Sequence, residues 1–219
     1  MDLHLYCHPF ASYCQKVLSA LYETGTPFSS TVVDLGDEKS RNDFYAIWPV
    51  GKFPVLADRT AGQMIPESSI IIEYLAGTVK GGAALLPREH TIALQVRLWD
   101  RFFDHYIHEP MQKIVTDRIR PPGQHDPHGV AQARKSLSTA YGIVDRHMAG
   151  RLWAVNDRFS MADCAASPAL YYAARVAPIP DSLPGLQAYH RRLLERPSFV
   201  RVLKEAEPYA HFFPKENPE

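Results

Sequence analysis

The sequence predicts an α/β domain followed by an all-α domain. Three observations predict it. Short β-branched or alternating runs are interleaved with helical patterns up to about residue 79. Gly77, Lys80, Gly81 and Gly82, with Pro87 just beyond, then have the composition of a domain linker. Past Pro87 the apolar residues recur only at helical spacing. The expected division is 1–79, a linker over 80–88, and 89–219.

In the first domain, Leu3-His4-Leu5-Tyr6-Cys7 alternates as a strand and His8-Pro9 ends it. Cys14, Val17, Leu18, Leu21 and Tyr22 then follow i, i+3, i+4, i+7, i+8, the stripe of an amphipathic helix that Gly25 stops. Phe28 to Asp34 reads as a second strand, and the charged stretch from Gly36 to Trp48 as a short surface helix. Pro54 to Asp58 and Gln63 to Ile65 form a hairpin about Thr60-Ala61-Gly62. Ile70-Ile71-Ile72-Glu73-Tyr74-Leu75 continues a helix begun at Ser68. The order β-α-β-α-β-β-α is that of a thioredoxin-like domain.

In the second domain, a long helical stripe runs through Ile92, Val96, Trp99, Phe103, Tyr106 and Ile107 to Met111, Ile114 and Val115, and Pro110 is expected to kink or break it. A Pro/Gly loop over 120–127 leads to a second amphipathic helix, Gly129 to Met148. Ser160-Met161-Ala162-Asp163 has the form of a capping box with Asp at the third position, a structural pair rather than a catalytic one. It opens a helix rich in small residues, Ala162, Ala165, Ala166 and Ala169, suited to close approach by neighbours. Two further helices follow, and a tail with Tyr209, Phe212 and Phe213 that either folds back as a lid or packs on the surface.

Composition narrows the function. The 219 residues are 46% hydrophobic and 22% charged, with 24 basic and 24 acidic side chains, so no net charge draws the chain to nucleic acid or membrane. No apolar run is long enough for a membrane span and Met1-Asp2-Leu3-His4 does not open a signal peptide, so a cytoplasmic protein is expected. Three irregularly spaced cysteines make no disulfide framework. Cys7 and Cys14 are too far apart for a C-x-x-C pair, and Cys14 and Cys164 read as core. His105 and His108, and His125 with His128, lack a clear third and fourth ligand, so no metal is expected.

The chemistry is concentrated in Gly51-Lys52-Phe53-Pro54 and Glu67-Ser68-Ser69. A Pro entering a strand, if cis, leaves the Phe53 backbone free to pair with an outside peptide. Ser68 at a helix N-terminus favours a carboxylate, and Glu67 beside it an ammonium. These are the needs of a short zwitterionic peptide. The pattern resembles the cytosolic glutathione transferases, in which a G-K-x-P run ends in cis-proline and E-S opens the next helix. The resemblance covers nearly the whole chain, the capping box of Ser160 and Asp163 included. It implies the glutathione transferase fold, with Lys52 facing the glycyl carboxylate, Phe53 and Pro54 the cysteinyl backbone, and Glu67 with Ser68 the γ-glutamyl end. It also implies a homodimer, with the helices starting near Ser68 and His90 at the interface.

Glutathione's thiol must ionise to attack an electrophile. The family supplies the hydroxyl or thiol that helps it from the start of the first helix, or from a Tyr ending the first strand. Here Lys16-Val17 aligns with the family's R-V, which puts Ala11 at the usual position of a bacterial-type, serine-class enzyme. Ser12, the next residue, is the expected catalytic hydroxyl; Tyr6 and Tyr13 are the alternatives. The second substrate, a small apolar electrophile, is expected between the domains against Phe10, Trp99, Phe103 and Tyr106. The function implied is glutathione transfer in detoxification. A glutathione-dependent isomerase or peroxidase, or a binding module without chemistry, is the alternative that Ala11 keeps open.

Overall fold

The computed structural model describes residues 1–216. Four strands, β1 (Leu3–Cys7), β2 (Ser29–Val32), β3 (Val55–Asp58) and β4 (Gln63–Pro66), form one sheet in the order β2-β1-β3-β4. β2 runs parallel to β1, and β3 and β4 are antiparallel. Leu5 stands between Ser30 and Leu56, so Leu3, Leu5, Cys7 and Leu56 share one face of the sheet. That face joins the main core with α1 (Ser12–Glu23) and α3 (Ser68–Thr78). On the other face Tyr6 and Val55 meet Phe44 of α2 (Glu38–Ile47) in a small separate cluster. This is the expected α/β, thioredoxin-like half.

The helix α1 departs from its amphipathic reading: every residue from Cys14 to Leu21 is buried, Gln15, Lys16 and Ser19 included. It lies against the sheet and α3 on one side and against the helices Met161–Val176 and Pro197–Ala206 on the other, so no face remains for water. The connection after α3 is also tighter than its glycines suggest. A side chain at Gly82 would stand 2.3 Å from the Leu75 carbonyl oxygen, so glycine there permits close approach rather than flexibility. Leu85 accepts a hydrogen bond from the Met161 N–H, 2.9 Å, tying this stretch to the helical half.

The second half contains α4 (His90–Phe102), α5 (Glu109–Arg118), α6 (Pro127–Met148), α7 (Met161–Val176), α8 (Pro184–Leu194) and α9 (Pro197–Ala206). α7 is buried along almost its whole length, and its run of alanines lets α1, α4 and α8 approach. The Ser160–Asp163 capping box forms: the Ser160 N–H donates to Asp163 Oδ2 at 2.9 Å. Asp163 Oδ1 also accepts from the Ala154 N–H (2.9 Å) and the Tyr189 hydroxyl (2.6 Å), so this buried carboxylate ties the approach to α7 and α8 together. Between α4 and α5 the chain forms a π-helical segment, Phe103–His108, in which the Glu109 N–H reaches back to the Asp104 carbonyl. The break expected from Pro110 is therefore a widened turn just ahead of it. Among the described residues no helix is long and apolar enough to cross a membrane.

Candidate functional site

The N-terminus of α1 is the centre of the site. Ala11 is the N-cap and has no side chain to satisfy the first-turn N–H groups, and that turn carries no acidic residue. Its donors and the positive end of the helix are thus left for a ligand. The helical half fixes their position: Tyr172 of α7 donates its hydroxyl to the Phe10 carbonyl (2.8 Å), while Gln15 donates to the Pro9 carbonyl (3.0 Å) and the Tyr172 oxygen (2.9 Å). The Ala11 N–H closes a turn on the His8 carbonyl at 3.0 Å.

The segment facing it is built by two unusual backbone positions. Gly51 has φ 69°, and a Cβ there would lie 2.3 Å from the Tyr45 ring, so glycine is required. The Phe53–Pro54 peptide bond is cis. Glu67 has φ 71° and ψ 119°, a conformation costing a non-glycine residue ~1–3 kcal/mol. It is the N-cap of α3, exposed, with Ser68 buried directly after it.

Two cavities meet here. The smaller, about 230 Å³, is polar: Lys52, Phe53, Glu67, Ser68, Arg101 and Glu109 are among its walls. The larger, about 550 Å³, is mostly apolar, with Phe10, Met111, Val115, Tyr172 and Phe213 around Ser12. Tyr13, Lys52 and Phe53 border both. Burial pushes the Tyr13 hydroxyl well up, so it stays protonated. Beneath the smaller cavity, Lys16 is sealed from water against Asp100 (2.7 Å), Asp104 (2.8 Å) and the Ser69 hydroxyl (2.8 Å). Arg101 closes the group from outside, 2.8 Å from Asp100 and 2.5 Å from Asp104. A buried lysine on an apolar stripe is tolerated because two carboxylates from α4 and the π-helical segment neutralise it.

The residues singled out from the sequence are distributed as follows. Ser12 and Tyr13 border the larger cavity, and Lys52, Phe53, Pro54, Glu67 and Ser68 line the smaller. Tyr6 does not join them: one-residue alternation along β1 turns it to the α2 face, against Phe44. Phe10 lines the larger cavity, but Trp99, Phe103 and Tyr106 do not. Trp99 stacks on His147 at 3.7 Å and Phe103 is fully buried in the core. Tyr106 is 60% exposed, on the outward four-residue row that Leu94 and Leu98 begin. Asp104 and His108 follow Asp100 at four-residue spacing on the buried side. His108, Met111, Val115, Tyr172, Phe212 and Phe213 take the places expected of the missing aromatics. The tail aromatics were open between a lid and surface packing, and Phe212 and Phe213 border the cavity; the paired tyrosines in an alanine-rich helix were the available sign of Tyr172. His105 pairs with Glu109 at 2.6 Å on the surface, and among the described residues no cluster of His, Cys, Asp and Glu is arranged to hold a metal.

Fold and site define the class. The family model of the glutathione S-transferase N-terminal domain matches residues 5–82, and that of the C-terminal domain matches residues 127–192. The chain belongs to the glutathione S-transferase family. It is similar to the glutathione S-transferase-like protein LUC7 of Fusarium sp., 29% identical over 72% of this chain and 71% of that one. It is also similar to the glutathione S-transferase GstB of Escherichia coli (strain K12), 26% identical over 86% and 91% of the two chains. Among solved structures, a glutathione S-transferase of Methylobacillus flagellatus KT with GSH bound superposes with a TM-score of 0.81 at 26% identity, covering 92% of this chain and 98% of that one.

Proposed function

We propose that this chain is a glutathione transferase that adds the glutathione thiolate to small apolar electrophiles. One observation carries the reading: a polar cavity and an apolar cavity meet at the uncapped N-terminus of α1. In this reading residues 1–79 bind glutathione, 80–88 link the domains, and 89–219 form most of the second-substrate site. Glutathione lies in the smaller cavity. Lys52 meets its glycyl carboxylate, the Phe53 backbone beside Pro54 pairs with its cysteinyl unit, and Glu67 with Ser68 holds the γ-glutamyl end. A glutathione-bound relative supports glutathione as the ligand.

A free thiol of pKa ~8.5 is about 3% ionised at pH 7, and ~2.7 kcal/mol of differential stabilisation lowers its pKa by two units. The first-turn N–H groups of α1 and the Ser12 hydroxyl supply donors for that purpose, Ala11 having none, so the enzyme is serine-class in kind with its hydroxyl one residue later. Ser12 donates to the sulfur, the thiol proton leaves to solvent, and the sulfur attacks the electrophile in the larger cavity. The biological role is detoxification in the cytoplasm. The working form is a homodimer, supported by Ile70 of α3 and Leu94 and Leu98 of α4, each more than half exposed on the two helices expected at the interface. Light scattering at micromolar concentration is expected to give twice the chain mass.

Ala11 also favours a second reading, a glutathione-binding module without chemistry. The deciding experiment combines retention on immobilised glutathione with turnover of 1-chloro-2,4-dinitrobenzene and a panel of electrophiles and peroxides. Retention with conjugation supports the transferase. Retention without turnover leaves the module; turnover confined to peroxides, or isomerisation, moves the chain to the neighbouring chemistry. Glu67→Ala is expected to weaken glutathione binding by tenfold or more, a lost charge-assisted contact being worth ~1.5–3 kcal/mol; calorimetry reporting an unchanged affinity would displace the glutathione site.

A further inference from the structure

His108 is the last residue of the π-helical segment and forms part of the wall of the larger cavity. Only 5% of it is exposed, and among the described residues its Nδ1 has no hydrogen-bond partner. Histidines that only pack in this chain are held differently. His4 has both ring nitrogens on hydroxyls, of Ser29 at 2.7 Å and Thr31 at 2.9 Å, and His147 has Nε2 on the Ala154 carbonyl at 2.7 Å. His190 also has an unpartnered nitrogen but borders neither cavity. A buried N–H left unmet costs ~1–3 kcal/mol, so the enclosed Nδ1 is the nitrogen that goes without a proton.

The surroundings define the ligand that this wall takes. The His108 ring lies 4.3 Å from the Tyr13 ring, and Tyr13 follows Ser12 at the start of α1. One turn beyond His108, Gln112 also borders the cavity, between the apolar Met111 and Val115. The cavity is therefore apolar along its length and polar on one strip close to the expected sulfur. Burial, with Lys16 nearby, pushes the imidazole down to about 4, so it is neutral at pH 7 and carries one N–H. Leaving a lone pair unmet costs less than leaving an N–H unmet, which puts the proton on Nε2, the nitrogen left for the cavity.

We propose that His108 is the specificity-determining residue of the second-substrate site, donating a hydrogen bond to a carbonyl conjugated with the carbon that glutathione attacks. The cavity then prefers α,β-unsaturated carbonyl compounds to electrophiles of the same shape without an acceptor; this rests on the transferase reading above. In the reaction the sulfur bonds to the β-carbon, the C=C pair shifts to join the α-carbon and carbonyl carbon, and the carbonyl pair moves onto oxygen. The His108 N–H meets the charge growing there. The α-carbon next takes a proton from water as the C=O re-forms, balancing the proton released when the thiol ionised.

The test is calorimetric, with two conjugates that differ only in the carbonyl: S-(3-oxo-3-phenylpropyl)glutathione, the adduct of phenyl vinyl ketone, and S-(3-phenylpropyl)glutathione. The unmodified protein is expected to bind the ketone about two- to tenfold more tightly, the worth of one neutral hydrogen bond. His108→Phe is expected to bind both alike, and His108→Gln, which keeps a donor, to retain the preference. Affinity for glutathione itself is expected to stay constant across the three. No preference in the unmodified protein, or one that survives in His108→Phe, overturns the proposal and leaves the transferase reading standing. Failure of glutathione and both conjugates to bind removes that reading and the proposal with it. Should His108→Phe fail to fold, the imidazole ¹⁵N resonances of His108 decide: a shift with the ketone and not the hydrocarbon is expected, and equal shifts overturn the assignment.

Discussion

Two buried carboxylate groups hold this molecule together, and they do so by opposite means. Asp163 is fully buried and is met by neutral donors: two backbone N–H groups, the Ser160 hydroxyl and the Tyr189 hydroxyl. Asp100 and Asp104 are met by cations, Lys16 from the other half of the chain and Arg101 from their own helix. The first arrangement organises one domain; the second joins two and lies under the smaller cavity. A carboxylate satisfied by neutral groups retains its unbalanced charge, whereas a four-member ionic group is neutral overall but loses that balance if any one member is removed. The first should therefore govern stability alone, and the second stability and binding together.

The largest expected effect tests the first half of that contrast. Asp163→Ala orphans four buried donors at ~1–3 kcal/mol each at most, and the unfolding free energy is expected to fall by ~4–6 kcal/mol. Denaturant titration measures it. Calorimetry on the folded variant should return an unchanged glutathione affinity; a weakened one would break the contrast. Lys16→Met is next, at ~3–5 kcal/mol, because it leaves two buried carboxylates with one half-exposed arginine. Here glutathione binding is expected to weaken as well, since Arg101 and Asp104 border the smaller cavity. Full affinity in that variant would make the ionic group merely structural.

Ser12→Ala supplies the reverse case, a change confined to function. It is expected to lower kcat/KM by tenfold to several hundredfold, ~1.4–3.5 kcal/mol, with glutathione affinity and unfolding midpoint nearly unmoved. The ultraviolet thiolate band of bound glutathione, followed against pH, locates the cause. An unchanged titration in this variant and a lost one in Tyr13→Phe would move the role to Tyr13.

The smallest effect is a pH dependence. Burial pushes the Asp163 carboxyl up to about 6, partly offset by its hydrogen bonds. Below about pH 4 the group is protonated folded or unfolded, and its contribution to stability is complete. As the pH rises through 6 the folded protein must carry the buried charge, and up to ~3 kcal/mol is lost. The stability gap between the unmodified protein and Asp163→Ala should accordingly narrow from pH 4 to pH 6, and a gap that widens would contradict the assignment.

The same contrast separates what the sequence made legible from what it did not. Asp163 could be read because its capping partner is three residues away, and local spacing fixes that geometry. The order of strands and helices was legible for the same reason, as periodicity is a local property. Lys16 was not: its partners are 84 and 88 positions further on, and nothing near it distinguishes it from a solvated charge. Tyr6 was misread because strand alternation separates the faces of a sheet without saying which one meets α1. Trp99, Phe103 and Tyr106 failed together, since a stripe says which residues are apolar but not whether they face core or cavity. The row of Leu94 and Leu98 carries Tyr106 outside, and the row of Asp100 and Asp104 carries His108 inside.

The three cysteines carry a practical consequence. Cys7, Cys14 and Cys164 are all buried, and burial pushes Cys7 up to about 12 and the other two well above the ordinary thiol range. A protein proposed to meet electrophiles throughout its working life thus holds no thiolate where they can reach it, and its own alkylation is slow for the same reason that glutathione's is fast. For the experimenter this means that maleimide labels will pass the native chain by. One cysteine placed on the surface, away from the cavities, would report alone, with no background to remove.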